Sequence, residues 1–144
     1  MRVRPYSGAV EVKRDQLAAW CAEAIGSEPV ETIFDAGHLS RVVGYRLQDG
    51  REVVIKARPP AERVLACLDM HMYAWANGYP CPQPLAGPTL LHSGLVTAES
   101  YVAPGDAWQS IEAAPKSAEA LARLVALTGK TSPRLPLELS LIHI

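Results

Sequence analysis

Lys56 closes the apolar run Val53-Val54-Ile55-Lys56, and upstream of it the segment Gly37-His38-Leu39-Ser40 separates two β-rich stretches. These two features are the ones whose chemistry could matter. An amine on an apolar strand supplies a point charge for an anion, and a glycine-bearing loop offers backbone N–H groups that can cradle a phosphate. Either alone is commonplace, because a glycine between strands is ordinarily a plain turn and an edge-strand lysine is ordinarily solvated. Their order along the chain adds information. A loop between the first and second strands, with a lysine on the third, is the layout in which the amine reaches the α/β-phosphates beneath a covering loop.

Other reactive side chains have simpler readings. His38, His71, His92 and His143 have no metal-ligand spacing with one another or with Cys21, Cys67 and Cys81. His71, among Met70, Met72 and Tyr73, reads as a core or pocket-lining histidine. Cys21 and Cys67 fall on helix stripes as small apolar residues. Trp20, Trp75 and Trp108 read as packing groups, since no basic patch accompanies them to make a stacking platform.

The elements that must position the lysine and the loop follow from periodicity. Asp15 to Ile25 predicts a helix with Asp15 as N-cap, Leu17, Trp20, Cys21, Ala24 and Ile25 at helical spacing, and Gly26 as the stop. Val30 to Asp35 predicts a strand. Val42 to Leu47 and Glu52 to Ala57 predict a hairpin about the turn Asp49-Gly50. A two-residue turn there sets Gln48 opposite Arg51, Tyr45 opposite Val54 and Val43 opposite Lys56. Val43, Tyr45, Val54 and Lys56 then share one face, and Val42, Gly44, Val53 and Ile55 the other.

Pro59-Pro60 introduces a helix from about Ala61 to Ala76, with Leu65, Leu68, Met72 and Trp75 as its apolar stripe and Asn77-Gly78 as its end. Tyr79 to Pro84, with a proline at every second position, must be extended. Thr89 to His92 and Leu95 to Val102 predict two further strands. Ser117 to Thr128 predicts a last helix with Leu121, Leu124, Val125 and Leu127 facing inward. Five mostly antiparallel strands with a helix inserted after the third make an α+β unit.

Composition sets the outer bounds. The chain has 144 residues, 49% hydrophobic and 20% charged, which suits one domain with an ordinary core. Fourteen Lys+Arg against 15 Asp+Glu leave a formal net charge of −1, so nothing calls for nucleic acid or an acidic membrane as partner. Three cysteines form neither an even set nor a CxxC pair, which points to a reducing, cytoplasmic setting. Met1 to Gln16 has no apolar run and is not a signal peptide. Met70 to Ala98 lacks Lys, Arg, Asp and Glu, but Pro80, Pro82, Pro84, Pro88 and several glycines interrupt it, so no membrane span is expected.

Several ordered blocks carry a family resemblance. They are Gly37-His38-Leu39-Ser40-Arg41-Val42-Val43-Gly44-Tyr45-Arg46, Val53-Val54-Ile55-Lys56, Trp75-Ala76-Asn77-Gly78-Tyr79-Pro80-Cys81-Pro82-Gln83-Pro84, and Thr97-Ala98-Glu99-Ser100-Tyr101-Val102-Ala103-Pro104-Gly105. Together they resemble the aminoglycoside phosphotransferases, small-molecule kinases that share the protein-kinase fold. The glycine–proline segment is similar to the family's turn after the helix, and the last block to its hinge and Pro-Gly corner. The resemblance covers about residues 30 to 128.

What it implies is an ATP- or GTP-binding, protein-kinase-like N-terminal lobe with flanking helices. Lys56 would hold the α/β-phosphates, Gly37 and Ser40 would mark the covering loop, and Val43 and Val54 would pack on the base. Backbone groups of Ser100, Tyr101 and Val102 would meet the purine edge. The family pairs its lysine with an acid on the following helix, and the candidates here are Asp69, deeper in the helix and preferred, and Glu62. Two solvated helix charges are the plain alternative.

The family's His-Gly-Asp-type loop and its magnesium-holding Asn and Asp have no counterpart in this sequence. Magnesium is accordingly expected only with a second lobe, and the chain alone is not expected to be a competent kinase. The implied division is a helical extension at 1–29, a nucleotide-binding lobe at 30–105, a connector and first helix of a further lobe at 106–138, and a separate ending at 139–144. That ending, Leu139 to Ile144, is an apolar tail that matches translation of CTG TCT CTT ATA CAC ATC, the transposon mosaic end used in sequencing libraries.

The expectation is therefore a fragment with adapter read-through at its end, a natural frayed tail being the alternative. Such a fragment would expose apolar surface near Tyr101, Trp108 and the last helix. The parent would phosphorylate a hydroxyl of a small molecule, with an aminoglycoside, another antibiotic, choline, homoserine or a sugar all open. A non-catalytic nucleotide-binding or protein-interaction module is the reading from a different class.

Overall fold

The computed structural model describes residues 10–37, 40–104 and 114–129. Trp108, the 105–113 part of the connector, the ending at 139–144, and His38 and Leu39 lie outside the described residues. The elements run α1 (Arg14–Ile25), β1 (Pro29–Ala36), β2 (Arg41–Leu47), β3 (Glu52–Arg58), α2 (Glu62–Ala76), β4 (Pro84–Leu91), β5 (Gly94–Ser100) and α3 (Ala114–Thr128). The strands form one antiparallel sheet in the order β1-β2-β3-β5-β4. The α+β architecture with a helix after the third strand is as the sequence predicts. No helix among the described residues is long and apolar enough to cross a membrane.

One face of the sheet packs on α1. Val43, Tyr45, Leu47, Val53, Ile55, Ala57, Val96 and Ala98 meet Val12, Leu17, Trp20 and Cys21 in a single buried cluster. Fully burying such side chains stabilises by roughly 1.5–3 kcal/mol each, which is what holds α1 to the strands. Burial pushes the Cys21 thiol up to about 11, opposed by Arg51. The N-cap is Lys13, two residues before the predicted Asp15. The Gln16 side chain accepts the Lys13 N–H at 2.9 Å. Asp15 stands in the first turn, where its charge suits the helix dipole. Gly26 ends α1 at φ 80°, its N–H donating to the Ala22 carbonyl at 2.9 Å.

The β2–β3 hairpin is found where predicted, but its register is shifted by one residue. Val43 lies opposite Ile55, Gly44 opposite Val54, Tyr45 opposite Val53 and Val42 opposite Lys56. The loop holds three residues rather than two. Leu47 N–H donates to the Arg51 carbonyl at 2.8 Å, and Gly50, at φ 88°, donates to the Leu47 carbonyl at 3.0 Å. Gly50 takes the left-handed position that a three-residue loop requires, and the preceding N–H groups are used outside the hairpin. Gln48 N–H is taken by the Glu28 carbonyl at 2.8 Å, and Asp49 N–H by Ser27 Oγ at 3.2 Å, so Gln48 cannot pair with Arg51.

A one-residue slip exchanges the faces. Val43 and Tyr45 therefore lie against α1, and the face that carries Lys56 is lined instead by Val42, Gly44 and Val54. The helical stripes also differ from expectation. Leu65, Met72 and Trp75 of α2, and Leu121 and Val125 of α3, are exposed. The side of α2 toward the sheet carries Ala74, which is buried, and half-buried Cys67 and His71. β4 begins at Pro84 and takes in the proline-bearing segment before Thr89, with irregular pairing to β5 at Ala86.

Candidate nucleotide site

The face opposite α1 is ordered by rows across the strands. Phe34, Gly44, Val54 and Glu99 stand side by side on β1, β2, β3 and β5, and Ala36, Val42, Lys56 and Thr97 form the next row. Gly44 is a requirement of the first row. A Cβ there would stand 2.3 Å from Cε1 of Phe34, so the ring lies over the glycine backbone. Beyond it is Tyr101, its ring centroid 6.1 Å from that of Phe34 at 42°. Phe34, Val54 and Tyr101 thus form the apolar part of this face, where the sequence placed Val43 and Val54. Val54 is in place; Val43 is on the other side of the sheet, fully buried.

Lys56 is fixed by a carboxylate from the sheet. Its Nζ donates to Glu99 Oε1 at 2.5 Å, with the lysine side chain 25% exposed and that of Glu99 10%. Neither Asp69 nor Glu62 is the partner; both are exposed on α2. The reason is geometrical. β3 pairs with β5 so that Val54 faces Glu99, which puts Lys56 and Glu99 on adjacent strands, two residues apart on one face. Glu99 stands within the segment Thr97 to Gly105, where the alternation Thr97-Ala98-Glu99 puts Thr97 and Glu99 on one face. What sequence alone lacked was the β3–β5 register.

Two more basic side chains surround Glu99. His71 of α2 has Nδ1 3.9 Å from Glu99 Oε2, while its Nε2 is 2.6 Å from the Pro82 carbonyl. Arg58 lies two residues beyond Lys56 on the same face and reaches Thr97 Oγ1 at 3.4 Å. Burial pulls Arg58 below its ordinary value, and the charge of Glu99 opposes that. Burial raises Cys81 above its ordinary value, with Glu99 adding to the effect. Two permanent cations against one carboxylate leave this face with room for another anion.

Gly37 and Ser40 lie toward the Lys56 end of the sheet, because Ala36 and Val42 share a row with that residue. Gly37 has φ 135°, and a Cβ there would fall 1.8 Å from the Ser40 carbonyl oxygen, so only glycine fits. At the other end, Ser100 N–H donates to the Gln83 carbonyl at 2.9 Å, and Tyr101 N–H to the Glu52 carbonyl at 3.0 Å. Those two N–H donors are therefore spent within the chain, which leaves the carbonyls as the backbone groups of Ser100 and Tyr101 that could meet a purine edge. Val102 is 62% exposed, and its N–H enters no hydrogen bond among the described residues. Among the described residues no group of three or more His, Cys, Asp or Glu is placed to hold a metal ion. A shallow depression lined by Ala22, Gly26, Ser27, Glu28, Gln48 and Asp49 lies at the hairpin turn and shares no residue with the Lys56 cluster.

No family model matches the chain, and no curated protein matches it. Among solved structures it is similar to a protein from Thermobifida fusca YX-ER1 described as a "putative fructosamine-3-kinase", with a TM-score of 0.55 and 22% identity. The match covers 78% of this chain and 39% of that one, so the chain spans well under half the length of its structural neighbour. The likeness shows the fold: an α+β, protein-kinase-like N-terminal lobe.

Proposed function

We propose that this lobe binds the nucleotide, ATP or GTP, for a phosphotransferase acting on a hydroxyl of a small molecule, as the aminoglycoside phosphotransferase resemblance implies. The observation that carries the reading is Lys56, held by a carboxylate on the sheet face of a kinase-like lobe, beside a glycine-dependent loop. From Lys56 to Glu52, whose carbonyl anchors Tyr101, β3 runs four residues, or about 13 Å. That span suits a nucleotide lying along the strand with its phosphates at Lys56 and its base at the Val102 end.

In that arrangement Lys56 meets the α/β-phosphates and the Gly37–Ser40 loop covers them. Phe34 and Val54 pack on the base, and the Val102 N–H meets its edge. The bound nucleotide supplies the transferable phosphoryl group. The description of the structural neighbour as a fructosamine kinase agrees with the small-molecule class.

The test is ATP-dependent thermal stabilisation of the 144-residue chain. Ligand at about ten times its dissociation constant adds roughly 1.4 kcal/mol to stability, a shift of several degrees for a domain of this size. Lys56→Ala should remove that shift. If the variant responds to ATP as the parent does, Lys56 leaves the site. If neither responds, the lobe does not bind nucleotide by itself, and an interaction module becomes the better reading.

A further inference from the structure

The acid that holds Lys56 comes from the sheet, and this bears on how the site is organised. Resting on the nucleotide reading above, we infer that Glu99 is the positioning residue for Lys56, and that no α2 carboxylate shares the task. A lysine held by a helix acid is in place only when the helix is docked. Here donor and acceptor stand on adjacent, hydrogen-bonded strands of one sheet, so the amine is aimed by the same ladder that forms the core.

α2 meets Glu99 at longer range. The Pro82 carbonyl can only accept, so His71 donates to it through Nε2, and Nδ1 stands 3.9 Å from Glu99 Oε2, beyond hydrogen-bond reach. Lys56 Nζ, at 2.5 Å, makes the closer contact with that carboxylate. Arg58 stands next along β3 and adds positive charge without taking over the contact, since its guanidinium is directed to Thr97. A phosphate arriving at Lys56 meets an amine already fixed through one of its three donors, with two left to give.

The experiment is titration of the full chain with a fluorescent ATP analogue, comparing Lys56→Ala, Glu99→Gln, Glu99→Asp, Asp69→Asn and the double variant K56A/E99Q, with folding checked by circular dichroism. Glu99→Gln should weaken binding about tenfold. Glu99→Asp, one methylene shorter, should fall between it and the parent, and Asp69→Asn should match the parent. In the Lys56→Ala background, Glu99→Gln should have no further effect, which a merely structural role of Glu99 would not produce.

If Lys56→Ala weakens binding while Glu99→Gln does not, the positioning role is overturned and the nucleotide reading stands. Equal losses from Glu99→Gln with and without Lys56, or a loss on Asp69→Asn, also overturn it. An unchanged Lys56→Ala overturns the nucleotide reading and the positioning role with it. Should Glu99→Gln not fold, Glu99→Asp decides by the same comparison in both backgrounds.

Discussion

The Lys56–Glu99 pair makes a quantitative prediction about stability that is independent of any ligand. Its exposure, 25% at the lysine and 10% at the glutamate, places it between a surface ion pair and a buried one. Surface pairs contribute about 0.2–1 kcal/mol, while removing one partner of a buried pair costs about 3–5 kcal/mol because the other charge is left desolvated. Lys56→Met orphans the more buried partner, but Glu99 keeps the Arg58 charge nearby, so the cost should be about 2 kcal/mol. Glu99→Gln leaves a lysine that can turn toward water and an Arg58 that has lost its compensating charge, for about 1–2 kcal/mol. The double variant K56M/E99Q removes both charges and should cost little more than either single change. The measurement is urea unfolding of the four proteins, read as midpoints at constant slope. A coupling energy of about 1–2 kcal/mol is expected, and single effects that add to within about 0.5 kcal/mol would refute the pair as drawn.

Two further outcomes follow from the same coordinates. Val43→Ala should lower stability by about 1.5–3 kcal/mol and leave any nucleotide response intact, whereas Val54→Ala should weaken nucleotide binding about threefold to tenfold. Nucleotide titrations in which Val43→Ala has the larger effect would contradict the observed register. The second concerns acid. Hydrogen bonding to Arg41, then the charges of Arg41 and Arg14, hold the Asp35 carboxyl below its ordinary value. A depressed value in the folded chain means that the contribution is complete above about pH 3.9 and is lost as pH falls through the lower folded value. The stability gap between the parent and Asp35→Asn should therefore be present at pH 7 and shrink as pH falls below about 3.9; a gap that stays constant through acid unfolding would exclude the Asp35–Arg41 link between β1 and β2.

Much of the lobe was legible because its signals are local. Asp49-Gly50 announces a hairpin, Gly26 a helix end, and the charge-free, proline-spaced Tyr79 to Pro84 an extended run, each from chemistry within a few residues. What was not legible depends on distant partners. The α2 and α3 stripes look like core-facing stripes in sequence, yet Leu65, Met72, Leu121 and Val125 are exposed, because periodicity reports that a helix has an apolar side and not what stands opposite it. Nor could Gln16 be seen replacing Asp15 as the group that organises the start of α1, since both offer a carbonyl-type acceptor in the first turn.

The site shows the sharper form of that limit. A hairpin loop of three residues rather than two, closed by Gly50 and with Gln48 bonded to the Glu28 carbonyl, moves Val43 from the Lys56 face to the core. Lys56 itself is unaffected in kind, because its neighbour Val54 is on the same strand and alternation within a strand does not depend on register. The residues that sequence reasoning missed, Phe34, Gly44 and Glu99, are the ones contributed by other strands. Each enters the face through a pairing that no local pattern encodes: Phe34 with Gly44, Gly44 with Val54, Val54 with Glu99. For a site built across a sheet, the residues on the lysine's own strand can be read from alternation, and those beside it only after the ladder is known.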